Sequence, residues 1–156
     1  MKTWLCSLLT AVLLSLALSA AAQQVGSAAP AVVGVDAAAL KGKVVVVDFW
    51  ASWCAPCKRS FPWWNEMQAK YGARGLHIVA VNVDRQRADA DAFLARQSPH
   101  FALAFDAEGE TPKRFEVKAM PTSVLIGTDG RVLLRHEGFK DDDRAALEAA
   151  IVAALR

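Results

Sequence analysis

Four consecutive valines, Val44–Val47, run straight into Asp48 and Phe49. A continuous β-branched run of this length fits a strand covered on both faces, the kind found inside a parallel or mixed sheet. Such a strand needs neighbours on either side and a layer above and below it, and the rest of the sequence can supply them. Leu76–Val83 (LHIVAVNV) reads as a second buried strand, with Gly72 and Gly75 marking the break before it. Phe101–Phe105 reads as a short strand. Thr122–Ile126 and Arg131–Arg135 read as two strands joined around Asp129-Gly130, a strong hairpin signal.

Helical patterns fall between the strands. From Ala55 to about Lys70, Phe61, Trp64 and Met67 recur three apart. Pro56 suits the first turn of that helix, and Pro62 inside it is expected to produce a kink. Trp63 points away from the Trp64 stripe and is expected at the surface, while Trp50 is expected in the core. Arg87–Gln97 reads as a helix ended by Ser98-Pro99, and Asp84, Arg85 and Arg87 as a solvated loop before it. Thr111 is a plausible cap for a short helix through Phe115. Asp141–Asp143 opens a last helix whose Leu147, Ile151 and Leu155 share one face. Strands alternating with helices, then a hairpin and a closing helix, predict a three-layer α/β/α sandwich with a mixed sheet.

The first 22 residues carry a different signal. Lys2 precedes an apolar run from Leu5 to about Leu18, and Ala20-Ala21-Ala22 then offers a cleavage site before Gln23. This reads as a cleavable secretory signal peptide, with residues 23–156 as the mature domain, a periplasmic location and an oxidising compartment. Cys6 would leave with the leader, and two cysteines would remain of the three in the chain. The formal net charge of +2 is too small to argue for nucleic acid as a partner.

Those two cysteines, Cys54 and Cys57, are three apart at the start of a helix. The spacing brings both sulfurs within one turn, close enough to close a small disulfide ring. The first lies where free amides and the positive end of the helix dipole favour a thiolate, so one sulfur can attack and the other resolve. A structural zinc site would need four ligands, and His77, His100 and His136 are scattered. Haem attachment needs a histidine where Lys58 stands. An inert disulfide and a copper(I) carrier using two soft thiolates stay open.

The segment from Val47 to Lys58, with Trp53-Cys54-Ala55-Pro56-Cys57 at its centre, resembles the active-site segment of thioredoxins. Met120-Pro121-Thr122 resembles their cis-proline loop. Phe61-Pro62, an insertion over roughly residues 85–118 and the hairpin ending in His136-Glu137-Gly138 are most similar to the exported TlpA/ResA-like branch. The resemblance implies a thioredoxin-like fold with that branch's central insertion. It implies Cys54 as nucleophile, Cys57 as resolving thiol, a cis Pro121 beside them and a substrate segment pairing with Met120. Trp53, Ala55 and Pro56 would contact substrate, with Trp53 packed near the sulfurs. Asp48 ends the valine run, and is either solvated where the strand emerges or buried below the disulfide with a raised pKa, moving protons for Cys57; thioredoxins resemble the chain in having an acid there. Two departures stand out. Ser60 occupies the position where many TlpA/ResA-like relatives carry glutamate, and Ala80 the position of thioredoxin's lysine. The hairpin that relatives have between the Gly26–Pro30 stretch and Lys41-Gly42-Lys43 is shortened or missing, which would leave a sheet edge less covered.

The sequence therefore predicts a periplasmic thiol:disulfide oxidoreductase, monomeric, that reduces protein disulfides. Its redox centre would be the Cys54–Cys57 pair, with no other cofactor or metal. A membrane thiol carrier would restore the dithiol, and apocytochrome c is one candidate substrate. An oxidant or isomerase is the alternative enzyme, and a copper carrier the alternative binding protein.

Overall fold

The computed structural model describes residues 25–156. The leader and Cys6 lie outside the described residues. The chain runs α1 (Ala37–Leu40), β1 (Val44–Trp50), α2 (Ala55–Tyr71), β2 (Leu76–Asn82), α3 (Arg87–Gln97), β3 (Ala102–Phe105), α4 (Glu110–Arg114), β4 (Thr122–Ile126), β5 (Val132–Glu137) and α5 (Arg144–Ala154). The five strands form one mixed sheet in the order β3-β2-β1-β4-β5. β1, β2 and β3 are parallel, while β4 pairs antiparallel with β1 and β5 antiparallel with β4.

The valine run is the middle of this sheet, and all seven residues of β1 are buried. Side chains alternate across a strand, so the run divides between two cores. Val44, Val46 and Trp50 join the cluster that holds α2, α3 and α5. Val45, Val47 and Phe49 join the cluster on the other face, with Phe115, Val32 and Val132. Two consecutive parallel crossovers in the same direction place α2 and α3 on one face, because such crossovers share one hand. The opposite face has only α1, α4 and the lead-in over it, so that layer is thin.

Two sequence expectations change here. Trp63 is buried, not exposed: its ring lies 4.4 Å from that of Trp64 and 5.5 Å from that of Phe139. The cause is remote in sequence. The connection after β5 crosses back over α2, held where the Arg59 guanidinium donates to the Phe139 carbonyl at 3.2 Å. Thr111 is not a cap. The Asp106 carboxylate accepts from the amides of Glu110 and Thr111, while the Thr111 hydroxyl accepts from the Val33 amide at 3.1 Å and ties the lead-in down. Pro62 lies inside α2, as the sequence suggested, and is exposed. The hairpin expected to be short or missing is replaced by α1. Among the described residues the outer edge of β5 is covered near its start, where the Gly26 amide donates to the Val132 carbonyl and the Val132 amide to the Ser27 carbonyl.

Trp50, Phe61 and Phe93 form an aromatic knot with centroids 4.8–5.0 Å apart, joining β1, α2 and α3 directly behind the cysteine motif. Truncating a fully buried Phe loses its transfer energy and leaves a cavity. Phe93→Ala is therefore expected to destabilise the oxidised protein by about 3–5 kcal/mol, read as a lower urea midpoint with an unchanged slope.

Candidate active site at the end of the central strand

β1 ends at Trp50, and α2 begins at Ala55 after four intervening residues. Cys54 is the residue that caps α2. Its backbone is extended, and its sulfur accepts from the Cys57 amide at 3.3 Å. Cys54 and Cys57 are joined as a disulfide with their Cα atoms 5.4 Å apart. Both cysteines are buried, Cys54 at 3 % exposed and Cys57 at 0 %, so what little surface the pair offers belongs to the first. When the bridge opens, an amide aimed at Cys54 and the helix start both favour negative charge on that sulfur. Pro56 falls in the first turn, where its missing N–H removes no helical bond.

Asp48 lies two residues before Trp50 on the same face of β1 and is completely buried. One oxygen accepts from the Ser123 hydroxyl at 2.6 Å. The other oxygen is buried without a hydrogen-bond partner, as is the indole nitrogen of Trp64. Burial pushes the carboxyl up from 3.8 to about 7, against smaller opposing pulls from the Ser123 hydroxyl and the Trp64 indole. The strand register sets Ala80 directly beside Asp48, so no cation balances it from β2. Ser60 offers no acid either, and its hydroxyl donates to the Cys57 carbonyl at 3.2 Å.

Two polar contacts were not legible in the sequence. Ser123 is the first. It stands opposite Asp48 in the β1–β4 register, and a serine inside an otherwise apolar strand was the only signal. Asp84 is the second and corrects the solvated-loop reading. It is buried, and it accepts from the Ser52 amide and hydroxyl, both at 2.9 Å, and from the Asn82 side-chain amide at 2.8 Å. These bonds fasten the segment just before Cys54 to the end of β2. Arg85 and Arg87 of the same stretch are exposed, as expected.

The remaining predicted residues take varied positions. The Met120–Pro121 bond is cis. Pro121 is buried at the start of β4, and its carbonyl accepts from the Gly138 amide at 2.8 Å. Met120 is half-buried and packs against the cluster that contains both cysteines. Ala55 is exposed and Pro56 half-buried. Trp53 is 70 % exposed, so it presents its ring to solvent beside Cys54 and is not packed over the sulfurs. A cleft of about 540 Å³ opens elsewhere, between the lead-in and Val45, Val47 and Ile126. It includes neither cysteine, and disulfide exchange needs a reachable sulfur and not an enclosed cavity. Among the described residues no His, Cys, Asp and Glu side chains gather in threes to hold a metal, and no helix is long and apolar enough to cross a membrane.

Burial of Asp48 also makes stability depend on pH. Folding raises its pKa, so between about pH 4 and pH 7 the folded chain keeps a proton that the unfolded chain releases, and stability falls as pH rises through that window. Inside the window each pH step of one costs about 1.4 kcal/mol. Asp48→Asn is expected to abolish this slope in urea unfolding series, leaving the variant more stable than the parent above pH 7. Ser123→Ala removes a bond that holds the carboxyl down, so carbon NMR of the Asp48 carboxyl should show its midpoint moving upward.

Comparison with known proteins agrees with this geometry. The sequence matches the Redoxin family over residues 24–151. It is 37 % identical over 98 residues to the thiol-disulfide oxidoreductase ResA of Bacillus thuringiensis subsp. konkukian, covering 63 % of this chain and 57 % of that protein. To ResA of Bacillus subtilis strain 168 it is 33 % identical over 94 residues, covering 60 % and 52 %. The match thus spans little more than half the length of these curated relatives. A crystal structure from Chlorobium tepidum, described as the thiol:disulfide interchange protein DsbE, superposes with a TM-score of 0.83 at 49 % identity, covering 86 % of this chain and all of the other. With a thioredoxin-like mixed sheet, a cysteine pair capping the helix after its central strand and a match along most of its length, the chain belongs to the Redoxin family.

Proposed function

We propose that this redoxin is a thiol:disulfide oxidoreductase that reduces disulfides in exported proteins. The observation that carries the reading is the asymmetry of the pair. Cys54 caps α2, holds what little surface the pair offers, and receives an amide, while Cys57 is sealed behind it. The ResA and DsbE names of its relatives support the same chemistry.

The exchange runs in two steps. The Cys54 thiolate attacks one sulfur of the substrate bridge. The substrate S–S bond breaks, a Cys54–substrate disulfide forms, and the other substrate sulfur leaves as a thiolate that takes up a proton. Cys57 then loses its proton and attacks the Cys54 sulfur, which frees the second substrate sulfur. The substrate gains two electrons and two protons, and the redoxin closes its own disulfide. Asp48 serves as the acceptor of the Cys57 proton, being buried on the α2 face of the sheet and half-ionised near neutral pH. Trp53, Ala55, Pro56, Met120 and Pro121 frame the bound substrate segment. The protein acts as a monomer in the periplasm, and a membrane thiol carrier returns it to the dithiol form. Apocytochrome c is a candidate substrate within this scheme.

A Cys57→Ser variant in the native host is expected to accumulate mixed disulfides through Cys54 that mass spectrometry can identify. Recovering only proteins of an oxidising pathway would reverse the direction assigned here. In the isolated protein, Asp48→Asn is expected to slow release of a preformed mixed disulfide by about tenfold or more near pH 7. Release rates unchanged from pH 6 to 9 would remove Asp48 from the mechanism.

A further inference from the structure

Four chain segments meet around Cys54, and their charges are one-sided. The segments are residues 52–59, 83–86, 117–121 and 137–140. Ser52 is bonded to Asp84, and the Val83 amide donates to the Trp50 carbonyl at 3.0 Å. Gly138 is bonded to Pro121, Arg59 to Phe139, and Met120 packs against the cluster containing Cys54 and Cys57. Within these segments Lys58, Arg59, Arg85, Lys118 and Lys140 are all exposed, and none is in an ion pair among the described residues. The same segments contain two acids. Asp84 is buried and occupied by Ser52 and Asn82, and Glu137 lies 3.3 Å from Arg135. Glu116, Asp141 and Asp142 flank the segments, and Asp141 is paired with Arg144 at 2.9 Å.

A chain whose net charge is only +2 has therefore gathered unpaired cations at the end of the sheet where the disulfide opens. Trp53, which precedes Cys54 in the first of these segments, is 70 % exposed. An exposed aromatic on a surface whose free charges are cationic is suited to an apolar contact flanked by acidic groups, and opposite charges across such a surface raise the rate of encounter.

We propose that this cationic rim selects protein disulfides flanked by acidic residues. The inference rests on the exchange reading given above and adds the substrate class to it. The rim acts on encounter, so its effect weakens as salt screens it over about 8 Å at physiological ionic strength.

Single turnovers of the fully reduced protein test this, with three peptide disulfides identical except for Glu, Gln or Lys on both sides of the bridge. At low ionic strength the Glu peptide is expected to react about tenfold faster than the Lys peptide, with the Gln peptide between them. At 1 M salt the three rates should converge. The double variant Arg85→Glu/Lys118→Glu should reverse the order while its rate with the Gln peptide stays within twofold of the parent. Equal rates for all three peptides at low salt overturn the rim, while a fast Gln peptide still supports dithiol exchange. If no peptide is reduced, the exchange reading fails and the rim falls with it.

Discussion

The burial of β1 on both faces is the constraint on which the rest of the structure rests. A strand with no solvent-facing side chain must be paired on both edges and covered above and below. β2 and β4 provide the pairing, and α2, Phe115 and the lead-in provide the cover. The same burial makes Asp48 unusual. A carboxyl with one hydrogen bond and no cation beside it cannot stay fully ionised at neutral pH in such a place, so the burial of the strand itself gives Asp48 a carboxyl that titrates near neutrality.

The two sulfurs inherit their inequality from the junction between strand and helix. Cys54 is the last extended residue and Cys57 belongs to the first turn, which buries both but seals only the second completely. This junction is held from three directions. Asp84 fastens Ser52 to the end of β2, the Trp50–Phe61–Phe93 knot fills the space behind, and the connection after β5 is pinned to α2 through Arg59. None of these residues needs to touch a substrate to matter, because a nucleophile on a loop is only as well placed as the loop.

The large cleft and the small reactive surface are separate features. The cleft lies toward the start of β1, under the thin layer where α1 replaces a hairpin, and the sulfurs lie at the strand's other end. The disulfide exchange proposed for this protein calls for a working surface that is shallow and exposed, and Trp53 beside Cys54 is exposed in that way.

Much of this was readable from local pattern. The valine run, the helix after it, the Asp129-Gly130 hairpin and the Cys54–Cys57 pair depend on neighbours one to four residues away, and periodicity, turn chemistry and spacing report such neighbours directly. Even the missing cation beside Asp48 could be traced to Ala80, through the resemblance to thioredoxins. What pattern could not reach were contacts between residues 20 to 80 positions apart. Trp63 looked exposed because the strand connection that covers it comes after residue 137, and Asp84 looked solvated because its donors include Ser52, on a different strand's end. The partner of Asp48 belongs to this second group, since a hydroxyl on β4 meets a carboxyl on β1 only when the chain has closed the sheet. Local sequence sets which elements form, whereas burial and hydrogen bonding of individual polar groups depend on which distant surfaces the finished fold presses together.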